Sequence, residues 1–452
     1  MNATVRIRIF GVFLCLVLAG VMAGPASAVT TFNMVAGQTT LTMPGGAVVT
    51  MWGFSLTSTD VNGTVTPGDG IVKVPGDPLV VPPGETTVTI SLTNNLPEPV
   101  SLMILGQRLA PAGGPVWTDG LGNTVSATQS RTAGDFTSRI RSFAHETPTG
   151  GVATYTWTNF KAGTYLLQSG TNPAKQVQMG LYAAIKMDSA AGQAYAGVPY
   201  SKELILVYSE IDPLIHAAVA GGTYGPSGTI TSSLQRKPKY FLVNGMAFET
   251  GGGLDPLNAL TALGTDDRVL LRFINAGYIL HVPELVNMYM SVVAEDGNPF
   301  AYPKMQYSLE MPAGKTFDAI VKPVAEGTFP LYDAALHLTN AGSAADGGML
   351  AYLDIALVDT DGDGVVDNAD NCTLIGNADQ RDTNSDGFGN RCDADLDNNG
   401  ITSASDIAIF RTVLGTNDPD ADFDGNGIVS ASDIAIFRSF LGQPPGPSGV
   451  AP

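Results

Sequence analysis

A chain of 452 residues is too long for one ordinary core and suits two or three domains. Hydrophobic residues make up 44%, enough for sizeable cores, while charged residues are only 14%. The net charge of −19 excludes the basic face that nucleic acid or anionic lipid needs, and three Cys and four His exclude most thiol and imidazole chemistry.

The chain opens on a targeting pattern. Arg6 and Arg8 precede an apolar run over about residues 9–21, and Ala26-Ser27-Ala28 follows with small-x-small spacing. This predicts a secretory signal peptide over 1–28. The run is shorter than the ~20 residues of a membrane span, and no later stretch approaches that length. The mature protein is therefore expected to be secreted, extracellular or at a cell surface, with no membrane span. Cys15 leaves with the leader.

Residues 29–358 read as β. Strand-like runs recur at 86–92, which alternates polar and apolar, and at 164–167, 203–208, 268–274 and 349–355, between clusters of Gly, Pro and Asn. Long amphipathic helical patterns are absent. The pattern predicts a mainly β protein with two Greek-key β-sandwiches, 29–190 and 191–358, meeting where Ala, Gly and Ser interrupt the strands over 188–197.

Particular motifs sharpen this. The first half carries Leu92-Thr93-Asn94-Asn95-Leu96, Gly163-Thr164-Tyr165 and Gln178-Met179-Gly180-Leu181; the second carries Arg272-Phe273-Ile274-Asn275-Ala276-Gly277 and Ala294-Glu295-Asp296-Gly297. Residues 72–187 and 237–340 resemble the first two cupredoxin domains of a multicopper oxidase. The resemblance implies copper held by His-x-His pairs, but Met103 and Leu105 stand in the first pair of ligand places and Gln168 and Gly170 in the second. The family's third domain has no counterpart. Type 1 copper needs a Cys thiolate with two His, and the body has no Cys. The trinuclear cluster of the family needs eight His, whereas the mature chain has His145, His216, His281 and His337. Copper is accordingly not expected. The four His read as structural hydrogen-bonding residues, with a lone copper or zinc on two of them as the alternative. Met288 and Met290 read as packing residues and Glu295-Asp296 as structural, so no catalytic residue is assigned.

The acidic end carries chemistry of its own. Residues 359–442 hold 17 Asp, no Glu and 4 Arg. Two segments repeat at a 27-residue offset: 403–411 recurs identically as 430–438. Ahead of each lies a loop with calcium-ligand spacing. Positions 1, 3 and 5 are Asp395, Asp397, Asn399 and Asp422, Asp424, Asn426; position 6 is Gly400 or Gly427; Ile401 and Ile428 offer backbone carbonyls; Ser403 and Ser430 occupy position 9; Asp406 and Asp433 close each loop at position 12. Apolar residues then follow at helical spacing. This duplicated loop and helix, 395–442, resembles a type I dockerin, an EF-hand-like module, with Ser at position 9 as a departure. The resemblance implies calcium binding and a cohesin-like or other extracellular protein partner. In the family, positions 10 and 11 help read that partner; here they are Ala404, Ser405, Ala431 and Ser432, with Arg411 and Arg438 at further partner-facing places. Their sameness implies a pseudo-twofold face.

Just upstream, Asp359, Asp361, Asp363, Asp367 and Asp370, then Asp382, Asn384, Asp386 and Asp393, lie in segments that resemble thrombospondin type 3 repeats, over 359–394. Few apolar residues lie here, so bound calcium is expected to replace a hydrophobic core. Carboxylates ~5 Å apart repel by ~0.8 kcal/mol per pair even in water, and Ca²⁺ reverses that sign. Cys372 and Cys392 are the only mature cysteines and are expected to pair, adding ~3 kcal/mol in the chain-entropy model. Residues 443–452, rich in Pro and Gly, read as a disordered tail. The function expected is a non-catalytic, calcium-binding scaffold for extracellular assembly or adhesion. The alternatives are a copper-binding oxidoreductase completed by a partner and a carbohydrate-active or carbohydrate-binding component of a cohesin–dockerin complex.

Overall fold

The computed structural model describes residues 29–450 apart from 111–113, 120–122, 126–138, 226, 250–262, 265–266, 324 and 342–346. The expected signal peptide and the last two residues lie outside the described residues.

The first sandwich is built from β1 (Val29–Thr42), β2 (Val48–Val61), β3 (Thr64–Pro67), β4 (Gly76–Val81), β5 (Thr87–Asn94), β6 (Leu102–Ile104), β7 (Val116–Thr118), β8 (Thr124–Val125), β9 (Arg139–Ser142), β10 (Val152–Thr158), β11 (Gly163–Ser169) and β12 (Tyr182–Met187). A five-stranded sheet ordered β10-β5-β1-β2-β3 faces a four-stranded sheet ordered β4-β12-β11-β6. In β5 the alternation seen in the sequence becomes geometry: Val88, Ile90 and Leu92 are buried and join Phe32, Phe54, Leu79, Tyr165 and Ile185 in one core. The long β1–β2 hairpin, rich in Val, Thr and Phe, lies outside the strand runs read from the sequence. It depends on close approach: a Cβ on Gly53 would sit 2.2 Å from the Lys73 carbonyl oxygen.

The second sandwich follows with β13 (Gln193–Tyr195), β14 (Val198–Pro199), β15 (Lys202–Ile211), β16 (Tyr240–Val243), β17 (Phe248–Glu249), β18 (Leu263–Gly264), β19 (Val269–Asn275), β20 (Pro283–Leu285), β21 (Met290–Glu295), β22 (Asn298–Gln306), β23 (Thr316–Val321), β24 (Gly327–Asp333), β25 (Gly347–Gly348) and β26 (Leu350–Ala356). Its main sheets run β16-β15-β19-β23-β21-β22 and β18-β26-β24-β20. All seven residues of β19 are buried, as a central strand covered on both faces requires.

The expected boundary at 188–197 is not a loose linker. Asp188 is buried, and Ala194 and Tyr195 pack with Leu270, Val293 and Ile320. A further core joins Met51, Leu166 and Tyr182 of the first sandwich to Val207, Leu242 and Ile274 of the second. Composition marked the interruption of strands: Ser189 to Gly192 are exposed, and the packing there is carried by Ala194 and Tyr195.

Beyond β26 the chain turns without strands until α3 (Ala404–Val413) and α4 (Ala431–Phe440); two earlier helices, α1 (Pro173–Gln176) and α2 (Pro213–Ala220), belong to the body. The stalk differs from expectation in having apolar packing: buried Cys372, Cys392 and Ala394 share a core with Phe410, Phe423 and Phe437 from the helical region. The segments 359–394 and 395–442 therefore pack as one unit. The tail expected to be disordered is also pinned over 443–450. Pro447 O accepts from Thr373 N (3.1 Å), Gly446 N donates to Cys392 O (3.1 Å) and Gly449 N to Asp370 O (2.8 Å). Its Pro and Gly content sets an extended path but does not prevent the remaining amides from pairing with the stalk.

Candidate metal centres

The two loop–helix units share most of their hydrogen bonds. Asp395 Oδ1 accepts from Asn399 N at 3.1 Å, and Asp422 Oδ1 from Asn426 N at 3.1 Å. Asp397 N donates to Asp406 Oδ1 at 3.1 Å, and Asp424 N to Asp433 Oδ1 at 3.1 Å. Gly400 and Gly427 share φ 92°, the left-handed turn that position 6 demands. Ligand atoms of Asp395, Asp397 and Asp406 lie within 4.8 Å of one another, as do those of Asp422, Asp424 and Asp433. Ser403 and Ser430 cap α3 and α4, and Asp406 and Asp433 close the reciprocal capping boxes by accepting from the Ser403 and Ser430 amides at 2.8 Å. The loop-closing carboxylates thus serve helix start and ligand cluster together.

The units are also exchanged. Gly415 N donates to Val429 O and Val429 N to Thr416 O, so the chain leaving α3 pairs with position 8 of the second loop. Gly442 N donates to Thr402 O and Thr402 N to Gln443 O, so the chain leaving α4 pairs with position 8 of the first. Sequence identity is thereby converted into pseudo-twofold structure. Ala404, Ser405, Arg411, Ala431, Ser432 and Arg438 are all exposed. The Ile401 and Ile428 side chains are half-exposed, leaving only their carbonyls to contribute to the loops.

The stalk repeats with an offset of 23 residues. Asp359 accepts from Gly362 N and Gly364 N at 2.8 and 2.9 Å; Asp382 accepts from Ser385 N and Gly387 N at 2.7 and 3.0 Å. Thr360 N donates to Asp367 Oδ1 at 2.7 Å, and Thr383 N to Asn390 Oδ1 at 2.9 Å. Asp359, Asp361 and Asp363 converge within 4.8 Å. Among the described residues no such group of three carboxylates forms around Asp386, where Asn384 replaces an acid. Asp361 Oδ2 and Asp370 Oδ2 are buried without a hydrogen-bond partner. Orphaned anionic oxygens of this kind fit a hard cation. Burial, then the neighbouring Asp386 and Asp395 charges, push the Asp393 carboxyl up to about 7.

Cys372 and Cys392 are joined in a disulfide with a Cα–Cα distance of 5.7 Å. Around it lie residues the sequence reading missed. Gln380 Nε2 donates to Asp370 Oδ1 (2.7 Å) and Asn377 Nδ2 to Asn371 Oδ1 (2.6 Å). Arg381 reaches the Asp422 carbonyl, and Asn390 Nδ2 the Pro419 carbonyl at 2.7 Å, fastening stalk to second loop. Amide side chains between conspicuous aspartates carry no spacing signal of their own.

In the body, Met103 on β6 lies opposite Gln168 on β11, and a Cβ on Gly170 would meet Met103 Sδ at 2.8 Å. The two motif segments read from the sequence are therefore brought side by side, with a thioether, an amide and a glycine at their meeting point.

With this geometry in place, comparison with known proteins assigns two parts. Residues 357–380 and 381–407 match the thrombospondin type 3 repeat family, so the second match runs past the expected boundary into the first loop and α3. The body has the cupredoxin-like fold of multicopper oxidases. It is similar to the blue copper oxidase of Nitrosomonas europaea, at 18% identity over 72% of this chain and 85% of that one, with a TM-score of 0.52. It is also similar to the multicopper oxidase mgLAC, at 20% identity over 73% and 87% of the two chains, with a TM-score of 0.51. No curated protein matches the chain. Thrombospondin type 3 repeats are extracellular calcium-binding modules, and no helix among the described residues is long and apolar enough to cross a membrane.

Proposed function

We propose that this is an exported calcium-dependent docking protein, in which a multicopper-oxidase-like body serves as a scaffold and residues 359–442 bind calcium and a partner. The exchanged, near-identical loop–helix units carry this reading. A duplicated loop whose position-12 carboxylate also caps its helix makes helix formation answer to the cation. Calcium is the ion that suits it, because the donors are carboxylate and carbonyl oxygens. The matching exposed rows on α3 and α4 support a twofold-related docking face for a cohesin-like partner.

For the body we infer a scaffold without redox copper. The residues present do not fit a laccase-type centre: Met103, Leu105, Gln168 and Gly170 stand at the expected ligand places, and the only mature cysteines are tied in the stalk disulfide.

The test is capture of the full chain on a panel of immobilised cohesin modules, with calcium and with EGTA. The reading predicts capture by at least one cohesin that EGTA abolishes and that Ala404→Asp combined with Ala431→Asp weakens. Failure of every cohesin to capture calcium-loaded protein contradicts the docking role.

A further inference from the structure

We propose that His281, Asp333 and His337 of the second sandwich form a site for one divalent transition-metal ion of the zinc class, independent of the acidic end. Asp333 ends β24 and is wholly buried, and its Oδ2 faces two imidazoles. His281 Nδ1 lies 2.9 Å away and His337 Nδ1 2.7 Å away. The other oxygen, Oδ1, is committed to the Val282 and Ala335 amides at 2.7 and 3.0 Å, which fixes the carboxylate. Donors about 2.0–2.1 Å from one tetrahedral ion stand about 3.3–3.4 Å apart, so these hydrogen-bond separations need to open by only about half an ångström for the three side chains, already converging within 4.8 Å, to take one ion. The two rings cross at 77° and are not stacked, as ligands approaching one ion from different sides do. Two nitrogens and one carboxylate oxygen leave open positions and suit zinc and its neighbours, whereas calcium prefers oxygen alone.

The surroundings complete the site. His281 Nε2 faces Glu210 Oε2 at 3.3 Å, and the Glu210 side chain is also fully buried. A carboxylate on the far nitrogen of a metal-ligating His fixes its tautomer and raises its basicity. Charge balance points the same way: Glu210 and Asp333 bring two buried negative charges, which one divalent ion with two neutral imidazoles cancels. His337 is 22% exposed, giving the ion an entry path, while Phe241 stacks on its ring at 4.5 Å. The turn that returns His337 to Asp333 passes through Leu336 at φ 65°, a left-handed conformation unfavourable for leucine, with its apolar side chain out in solvent.

The experiment uses the full chain, stripped with chelator and then kept in excess Ca²⁺ so that the acidic loops are filled. Co²⁺ is titrated by its visible absorption and Zn²⁺ by calorimetry in competition. The expected result is one equivalent of Co²⁺, displaced by Zn²⁺. His337→Ala, which alters a partly exposed side chain, is expected to weaken binding at least tenfold, and Glu210→Gln to weaken it about 10–100-fold. Circular dichroism and urea unfolding show whether each variant remains folded. Absence of a Co²⁺ band in the folded wild-type chain overturns the site, as does a band of equal affinity in folded His337→Ala. Because the loops are saturated throughout, failure here leaves the calcium-dependent docking reading untouched.

Discussion

Arg272 Nη1 donates to Thr164 Oγ1 across 2.9 Å, joining the two sandwiches through a guanidinium wholly removed from solvent. The same side chain bonds Asp188 and Glu203, and Asp318 stands 3.8 Å from it. Three carboxylates from both sides of the interface thus meet this cation, and Lys186 Nζ adds a second one to Glu203 at 2.8 Å and Asp188 at 3.4 Å. Arg272→Met keeps much of the volume but leaves buried Asp318 without a cation and Asp188 and Glu203 with Lys186 alone. It is expected to destabilise the body by about 3–5 kcal/mol, read as a lower urea midpoint. An unchanged midpoint would show that the network contributes nothing net.

His216 gives the body a pH response of definite sign. Its ring is buried, Nδ1 donates to Thr50 O at 2.8 Å, and burial lowers its pKa below 6.5. The unfolded chain therefore takes up a proton that the folded one resists. Stability from this group is fully present above about 6.5 and is lost as pH falls below it. His216→Asn retains a donor toward Thr50. Its urea midpoint is expected to vary less between pH 6.5 and 5 than the wild-type midpoint, and parallel profiles would remove His216 as the cause.

The two loop-closing aspartates are expected to act alike because their surroundings superpose. Asp406→Ala and Asp433→Ala should each remove one calcium equivalent by calorimetry and about 1 kcal/mol of helix-cap stability. Markedly unequal effects on stoichiometry would break the pseudo-twofold account.

Legibility in the sequence followed the range of the interactions. β5 and β26 were readable because period-2 burial is a local property, and β11, β15 and β19 because short apolar, β-branched runs bounded by turn residues are. The loops around Asp395 and Asp422 were readable because their donors are supplied within twelve consecutive residues. The β1–β2 hairpin was not read, although Val, Thr and Phe fill it, because Gly37 and Gly53, placed for the packing of neighbouring chain, interrupt its pattern. Nor was the shared core of stalk and helices, where Cys372 and Phe423 meet across about fifty residues. The Asp333 cluster was hidden for the same reason: Glu210, His281 and His337 are far apart in the chain and meet only through the sheet order.

The most direct test of the account is calcium removal from the intact chain, followed by circular dichroism at 222 nm and limited proteolysis. With EGTA, α3 and α4 are predicted to lose helical signal and the chain to be cut within 359–442 while the sandwich body survives, both effects reversing on calcium addition. An acidic end equally helical and equally protease-resistant after exhaustive chelation would contradict the claim that calcium orders it.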